Sequence, residues 1–134
     1  MNDIEIEIIK TFFHKSIQDR AIFELNSSKK RKPFIGRLSH NFQEIFNQKY
    51  LIKIQLPNSN YVDILRSLKQ YGANDKCYSI SSNGEIDGKE LSLTEALEKA
   101  VGFGMPSIIY CGSGLAYFEA EQESGAPPRF ILKK

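Results

Sequence analysis

Four adjacent cationic side chains, Lys29-Lys30-Arg31-Lys32, form the densest cluster of reactive or binding groups in the chain. Arg37 and His40 follow within ten residues and Arg20 precedes them. Such a run grips anions. On nucleic acid it would neutralise phosphates and give salt-sensitive, sequence-independent affinity, with Phe34 and Phe42 available for base stacking. On a protein it would meet an acidic surface. The bland alternative is a solvated basic loop, which is common on proteins that bind neither.

The second candidate is Cys111, which ends the apolar run Ile108-Ile109-Tyr110 and opens Gly112-Ser113-Gly114. A cysteine at a strand end, with His40 or His14 as base and Glu119 as orienter, would make a nucleophile. A small core residue is the commoner identity for a cysteine in such a run. The glycines themselves are not a phosphate cradle, because those loops open a helix and this one opens a strand. Glu119 and Glu121 lie two apart and would bring two carboxylates together on one strand face; solvation of that face is the simpler role. His14 and His40 lack a third ligand at metal spacing, so no metal or cofactor is assigned.

A third set is acidic. The charge is polarised along the chain: residues 1–72 hold 12 Lys+Arg against 7 Asp+Glu, residues 73–134 hold 6 against 9. Glu85, Asp87, Glu90, Tyr117, Glu119 and Glu121 from the acidic part, with Tyr50 and Tyr61 as further exposed tyrosines, would suit a protein partner. With apolar residues at 41% and charged residues at 25%, 134 residues suffice for one domain with a real core. No apolar run approaches the roughly 18 residues that cross a bilayer. The acidic start (Asp3, Glu5, Glu7) does not resemble a secretory signal, and two cysteines without CxxC spacing fit free thiols in a reducing cytoplasm.

These groups need elements to hold them. Ile4, Ile8, Ile9, Phe12 and Phe13 recur at helical spacing over residues 3–15, although Ile-Glu-Ile-Glu-Ile also reads as a short strand. Ser16-Ile17-Gln18-Asp19 resembles a capping box before a second segment through Ala21, Ile22 and Leu25, where helix and strand compete. Pro33 suits the first turn of a third helix, to about His40. Residues 50–56 alternate as a strand closed by Pro57. Asn60 caps a helix over 60–71 whose buried face holds Ile64, Leu65, Leu68 and Tyr71. Residues 76–81 are a strand, and a polar loop with Asn83-Gly84 and Asp87-Gly88 follows. Ser92-Leu93-Thr94-Glu95 is a full capping box for a helix over 93–101, stopped by Gly102, with Phe103 folding back on its last turn. Strands over 107–111 and 115–121 make a hairpin about Gly112-Ser113-Gly114, and a loop over 123–128 leads to a last strand over 129–132.

The expected fold is therefore α+β: a mixed sheet of about five strands, two packed helices, and a helical N-terminal segment (1–45) packed on an α/β part (50–134), in one domain. Helix-linked strands would run parallel where they are neighbours. The function expected from this inventory is a small, cytoplasmic, non-catalytic binding protein engaging another protein, in a regulatory or neutralising role of the immunity or antitoxin kind. Nucleic-acid binding through 29–37 is the alternative, and a Cys111-centred enzyme the second alternative.

Overall fold

The computed structural model describes residues 2–54, 60–121 and 128–134. Residues 55–57 of the first expected strand and its closure, and 123–127 of the last expected loop, lie outside the described residues.

The N-terminal third is mainly helical, with short irregular links and an isolated antiparallel bridge between Phe13 and Phe46. In α1 (Asp3–Phe12) the Asn2 side chain accepts from the Glu5 N–H, and Glu5, Ile8, Ile9 and Phe12 form the buried stripe. That i, i+3, i+4, i+7 pattern overrides the strand-like alternation of the first isoleucines. A single turn precedes α2 (Gln18–Leu25), so the helical reading of Ala21 to Leu25 holds; the expected Ser16 capping box does not form. The third helix, α3 (Arg31–Ile45), is longer than Pro33 and His40 suggested and bends at Asn41. Its buried face starts earlier too, since Arg31, Phe34, Ile35, Leu38 and Phe42 share one stripe.

The remaining elements are β1 (Leu51–Lys53), α4 (Tyr61–Gln70), β2 (Lys76–Ser81), β3 (Lys89–Ser92), α5 (Leu93–Ala100), β4 (Ser107–Gly112), β5 (Leu115–Glu119) and β6 (Arg129–Lys133). The expected caps of the two C-terminal helices form: Asn60 accepts from Asp63 N–H at 2.9 Å and Ser92 from Glu95 N–H at 3.1 Å. Tyr71, expected on the buried face of α4, is exposed because the helix ends at Gln70; Phe103 is exposed rather than folded back.

The fold is α+β, with six strands in the order β1-β6-β5-β4-β2-β3. Every ladder is antiparallel, which corrects the mixed sheet expected above. The missed element is β3, which lies in the stretch read as polar loop and pairs with β2. Chain reversal at β3 means that α5 joins β3 to β4, two strands of like direction with β2 between them. The crossover through α4 likewise joins β1 and β2 across three intervening strands. Like-directed strands are thus never neighbours.

Helices cover both faces. The first three pack on Tyr78, Ile80, Ile108, Tyr110, Ala116, Phe118 and Leu132, with Phe118 against Phe46 and Phe42 at centroid distances of 4.8 and 5.5 Å. Helices α4 and α5 pack on Cys77, Ile109, Cys111, Leu115, Tyr117 and Ile131. The hairpin between β4 and β5 closes with two residues, Ser113 (φ 53°) and Gly114 (φ 74°), as a type I′ turn requires. Gly112 (φ 86°) takes up a one-residue register shift, and a Cβ there would meet the Asn74 side chain at 3.0 Å.

Ile109 sits at the centre of the second core with no solvent exposure. Ile109→Ala should lower the unfolding free energy by about 2–5 kcal/mol in a urea titration, since the void left by removing most of the side chain in a strand covered on both faces has little room to collapse.

Candidate functional site

The basic run does not act as a unit. Helical geometry turns Arg31 inward while Lys29, Lys30 and Lys32 stay exposed. The Arg31 guanidinium donates to both Glu5 oxygens at 2.9 and 2.7 Å, to both Asp87 oxygens at 2.9 and 3.0 Å, and to the Leu25 carbonyl at 3.0 Å. These contacts, led by Glu5, hold it protonated well beyond the ordinary arginine range. Tyr78 donates to Glu5 at 2.6 Å and Asn2 donates to Tyr78 at 2.7 Å; burial first, and the Glu5 contact second, push the Tyr78 phenol up to about 12. On the other flank of the α1 stripe, Tyr110 donates to Glu7, and burial pushes that phenol up to about 12 as well. Arg31 is thus removed from the anion-binding set: it is a structural clamp.

Arg37 is also engaged, donating to Glu24, which accepts from Arg20 as well. The Arg20 hydrogen bond, with the charge of Arg37 beside it, holds the Glu24 carboxyl below its usual range. His40 lies 3.3 Å from Glu121, both side chains being about half exposed. Phe34 and Phe42, expected as stacking platforms, are core residues instead, because positions 34 and 42 fall on the buried stripe. Phe23 is exposed instead, as Tyr71 and Phe103 are. Phe23 is 63% exposed, and the Lys30 ammonium stands 4.9 Å from its ring centroid. Its signal was its place on the polar face of α2, outside the stripe of Ala21, Glu24 and Leu25.

The acidic set disperses. Glu85 and Glu90 are exposed, and Glu85 lies 3.4 Å from Lys99. Asp87 faces Arg31 and accepts from the Ser81 N–H at 3.0 Å. Tyr117, expected at the surface, is fully buried because β5 is covered on both faces. So is Glu119, expected in solvent; its carboxylate accepts from Gly102 N–H and Gly104 N–H at 3.1 Å, from Tyr117 at 2.7 Å and from Arg129 at 3.1 Å. It pins the loop between α5 and β4, where Gly102 (φ 89°) and Gly104 (φ 66°) take left-handed conformations. Glu121 lies beyond the end of β5 and does not share this site.

Cys111 is 2% exposed, and burial pushes its thiol up to about 12, the reverse of what activates a nucleophile. It faces α4 and α5, whereas His14 and His40 belong to the helical layer on the opposite face, and Glu119 is occupied elsewhere. The structure does not bring these groups together. Among the described residues no cluster of three His, Cys, Asp or Glu could hold a metal, and no helix is long and apolar enough to cross a membrane.

The turn between α2 and α3 presents Phe23, Lys29, Lys30 and Lys32 as one surface, anchored from below by Arg31. Lys30 occupies the cap position of α3 without a side-chain cap, while its N–H donates to Ser27 Oγ at 3.2 Å. Searches against protein-family models, curated proteins and solved structures found no match to this chain.

Two substitutions separate clamp from surface. Arg31→Met should cost roughly 3–5 kcal/mol by leaving Glu5 charged and unpaired in the core, and adding Glu5→Gln should recover part of it. Lys32→Gln should stay within about 0.5 kcal/mol in the same denaturant titration. The Glu24 pair gives a pH signature. Its folded pKa is depressed, so its stabilisation is present above the ordinary carboxylate value of 4.5 and is lost as pH falls through the lower folded value. Wild type and Glu24→Gln should therefore differ in urea midpoint at neutral pH and converge in acid; a constant difference would show that the charge is not what matters.

Proposed function

We propose that this chain is a non-catalytic binding protein that engages an acidic surface of another protein through the α2–α3 turn. The observation that carries this reading is the conjunction of Phe23, exposed and overlaid by Lys30, with Lys29 and Lys32 at the N-terminal end of a 15-residue helix. That end already carries the positive pole of the helix dipole, so three ammonium groups there repel it and one another. Carboxylates of a partner relieve this repulsion. The exposed phenyl supplies the desolvated aromatic anchor that dominates many protein interfaces. The clamp beneath fixes the turn before binding, which reduces the ordering cost on association. A regulatory or neutralising role in the cytoplasm is consistent with this mode of action.

Nucleic acid is the second reading, because a lysine-flanked aromatic also accepts stacked bases. Three lysines rather than four basic side chains are available, which limits the electrostatic contribution. The slope of log K against log salt would not exceed about 2.7, at roughly 0.9 per phosphate contact on a duplex. A protein partner needs no such run.

Affinity capture from the source cells, with wild type, Phe23→Ala and a Lys29/Lys30/Lys32→Gln variant in parallel, tests the assignment. One protein should be recovered in stoichiometric amount by wild type, weakened by salt, and lost from both variants, whose thermal stability should be no lower than wild type. Retention of that protein by both variants would move the interface elsewhere. Recovery of RNA or DNA in its place would establish the second reading.

A further inference from the structure

On the face of the sheet away from the basic turn, the two cysteines of the chain come together. In the β2–β4 ladder Ser81 faces Ser107, Ser79 faces Ile109 and Tyr78 faces Tyr110. The ladder ends at that pair; continued by one step, its register would set Cys77 opposite Cys111, and both residues line the same hollow. Ser82 N–H donates to the Pro106 carbonyl at 3.0 Å, which fixes the alternation of the ladder. Counting from it, 81/107, 79/109 and 77/111 are the pairs without mutual backbone hydrogen bonds. At such positions side chains approach most closely, with Cα atoms about 4.5 Å apart, inside the range a disulfide spans. The ladder shows that closeness itself: Ser81 Oγ and Ser107 Oγ, at the same phase and on the same face, are 2.6 Å apart.

We infer that Cys77 and Cys111 are a cross-strand dithiol built to close into a disulfide, a modification site at the open end of β2 and β4. Each thiol makes only weak contacts to backbone carbonyls. Cys77 Sγ lies 3.5 Å from the Leu91 oxygen and 3.8 Å from that of Ser92, and Cys111 Sγ lies 3.7 Å from the Ile109 oxygen. Rotation about χ1 gives these up at little cost. Both residues line one hollow of about 150 Å³ at the strand ends, with Asn74, Lys76, Glu90 and Gly112, which gives a small oxidant its approach.

The oxidant we specify is a low-molecular-weight disulfide, with oxidised glutathione as the probe. One cysteine, deprotonated, attacks a glutathione sulfur; the glutathione S–S bond breaks and one glutathione thiol leaves with the proton. The second cysteine displaces the second glutathione from the mixed disulfide in the same way. The two protein thiols are oxidised by two electrons, and the glutathione disulfide is reduced to two thiols. Burial, which raises both thiols to about 12, makes the reaction slow at neutral pH without changing its equilibrium partners.

The 134-residue chain is equilibrated in mildly alkaline glutathione buffers of graded redox ratio, folded and in urea, and quenched with acid. Intact mass and non-reducing peptide maps give the fraction of Cys77–Cys111 disulfide. The folded chain should be half-oxidised at a glutathione ratio at least roughly tenfold more reducing than the unfolded chain, because the fold raises the effective concentration of one thiol at the other. Folded Cys77→Ser should instead accumulate a glutathione adduct on Cys111. Half-oxidation at the same ratio, or at a more oxidising one, would show that the fold does not favour the bond. So would stable double adducts or intermolecular dimers in the wild type.

Discussion

One guanidinium holds the helical layer to the sheet. Arg31 reaches Glu5 on α1, the carbonyl at the end of α2, and Asp87 in the loop between β2 and β3, while Glu5 carries the contact on to Tyr78 of β2. All five donors of a planar fork are used in one place, an arrangement for which a lysine has too few donors and the wrong shape. Buried ion pairs add little net stability compared with a well-packed apolar core. What this one supplies is uniqueness. Apolar stripes on three helices can slide or rotate against a sheet at modest cost, but only one arrangement lets both carboxylates find the same fork.

Covering both faces of the sheet imposes the same requirement elsewhere. The inner strands β4 and β5 have no solvent side, so a charge on either face must bring its own partners. Glu119 does so with two backbone N–H groups, a phenol and the Arg129 opposite it across the β5–β6 ladder. The two backbone donors come from glycines in left-handed conformations, so the loop that leaves α5 is shaped around the carboxylate. A surface glutamate would exert no such control.

Much of the fold was legible because local signals agreed with it. Asn60 and Ser92 cap the helices they announce, β2 has the bounds read from sequence, and the β4–β5 hairpin turns where its glycines sit. Antiparallel order was not legible, since it hinges on β3, whose residues Lys89, Glu90, Leu91 and Ser92 carry no strand pattern and pair on one edge only. The site was harder, and for a single reason. Charge alone reads as surface, whether solvated or binding, yet Glu5 and Arg31 each occupy the first position of an i, i+3, i+4, i+7 stripe whose other members are apolar. Opposite charges at the heads of two such stripes are candidates for each other. Glu119 and Arg129 stand likewise on the inward faces of neighbouring strands, beside Tyr117 and Ile131. Phe23 was missed for the converse reason: it lies off the stripe, on a face that ought to be polar.

The basic turn then has a different standing from an ordinary charged loop. Solvated loops are commonly built so that neighbouring charges alternate or complement the helix pole beside them, because each mismatch costs a few tenths of a kcal/mol. Here Lys29, Lys30 and Lys32 crowd the positive pole of α3, and one of them, Lys30, stands at its cap position, where Ser, Asp or Asn would stabilise. The local electrostatics therefore oppose folding, and the Arg31 clamp holds the turn in place against them. Screening by salt reduces this opposition only in part at separations shorter than the Debye length, about 8 Å at physiological ionic strength. A surface that is rigid, self-repelling and capped by an exposed phenyl is poorly explained by solubility, which dispersed charge would serve as well. An anionic surface laid against it would remove the repulsion and cover the ring in one step.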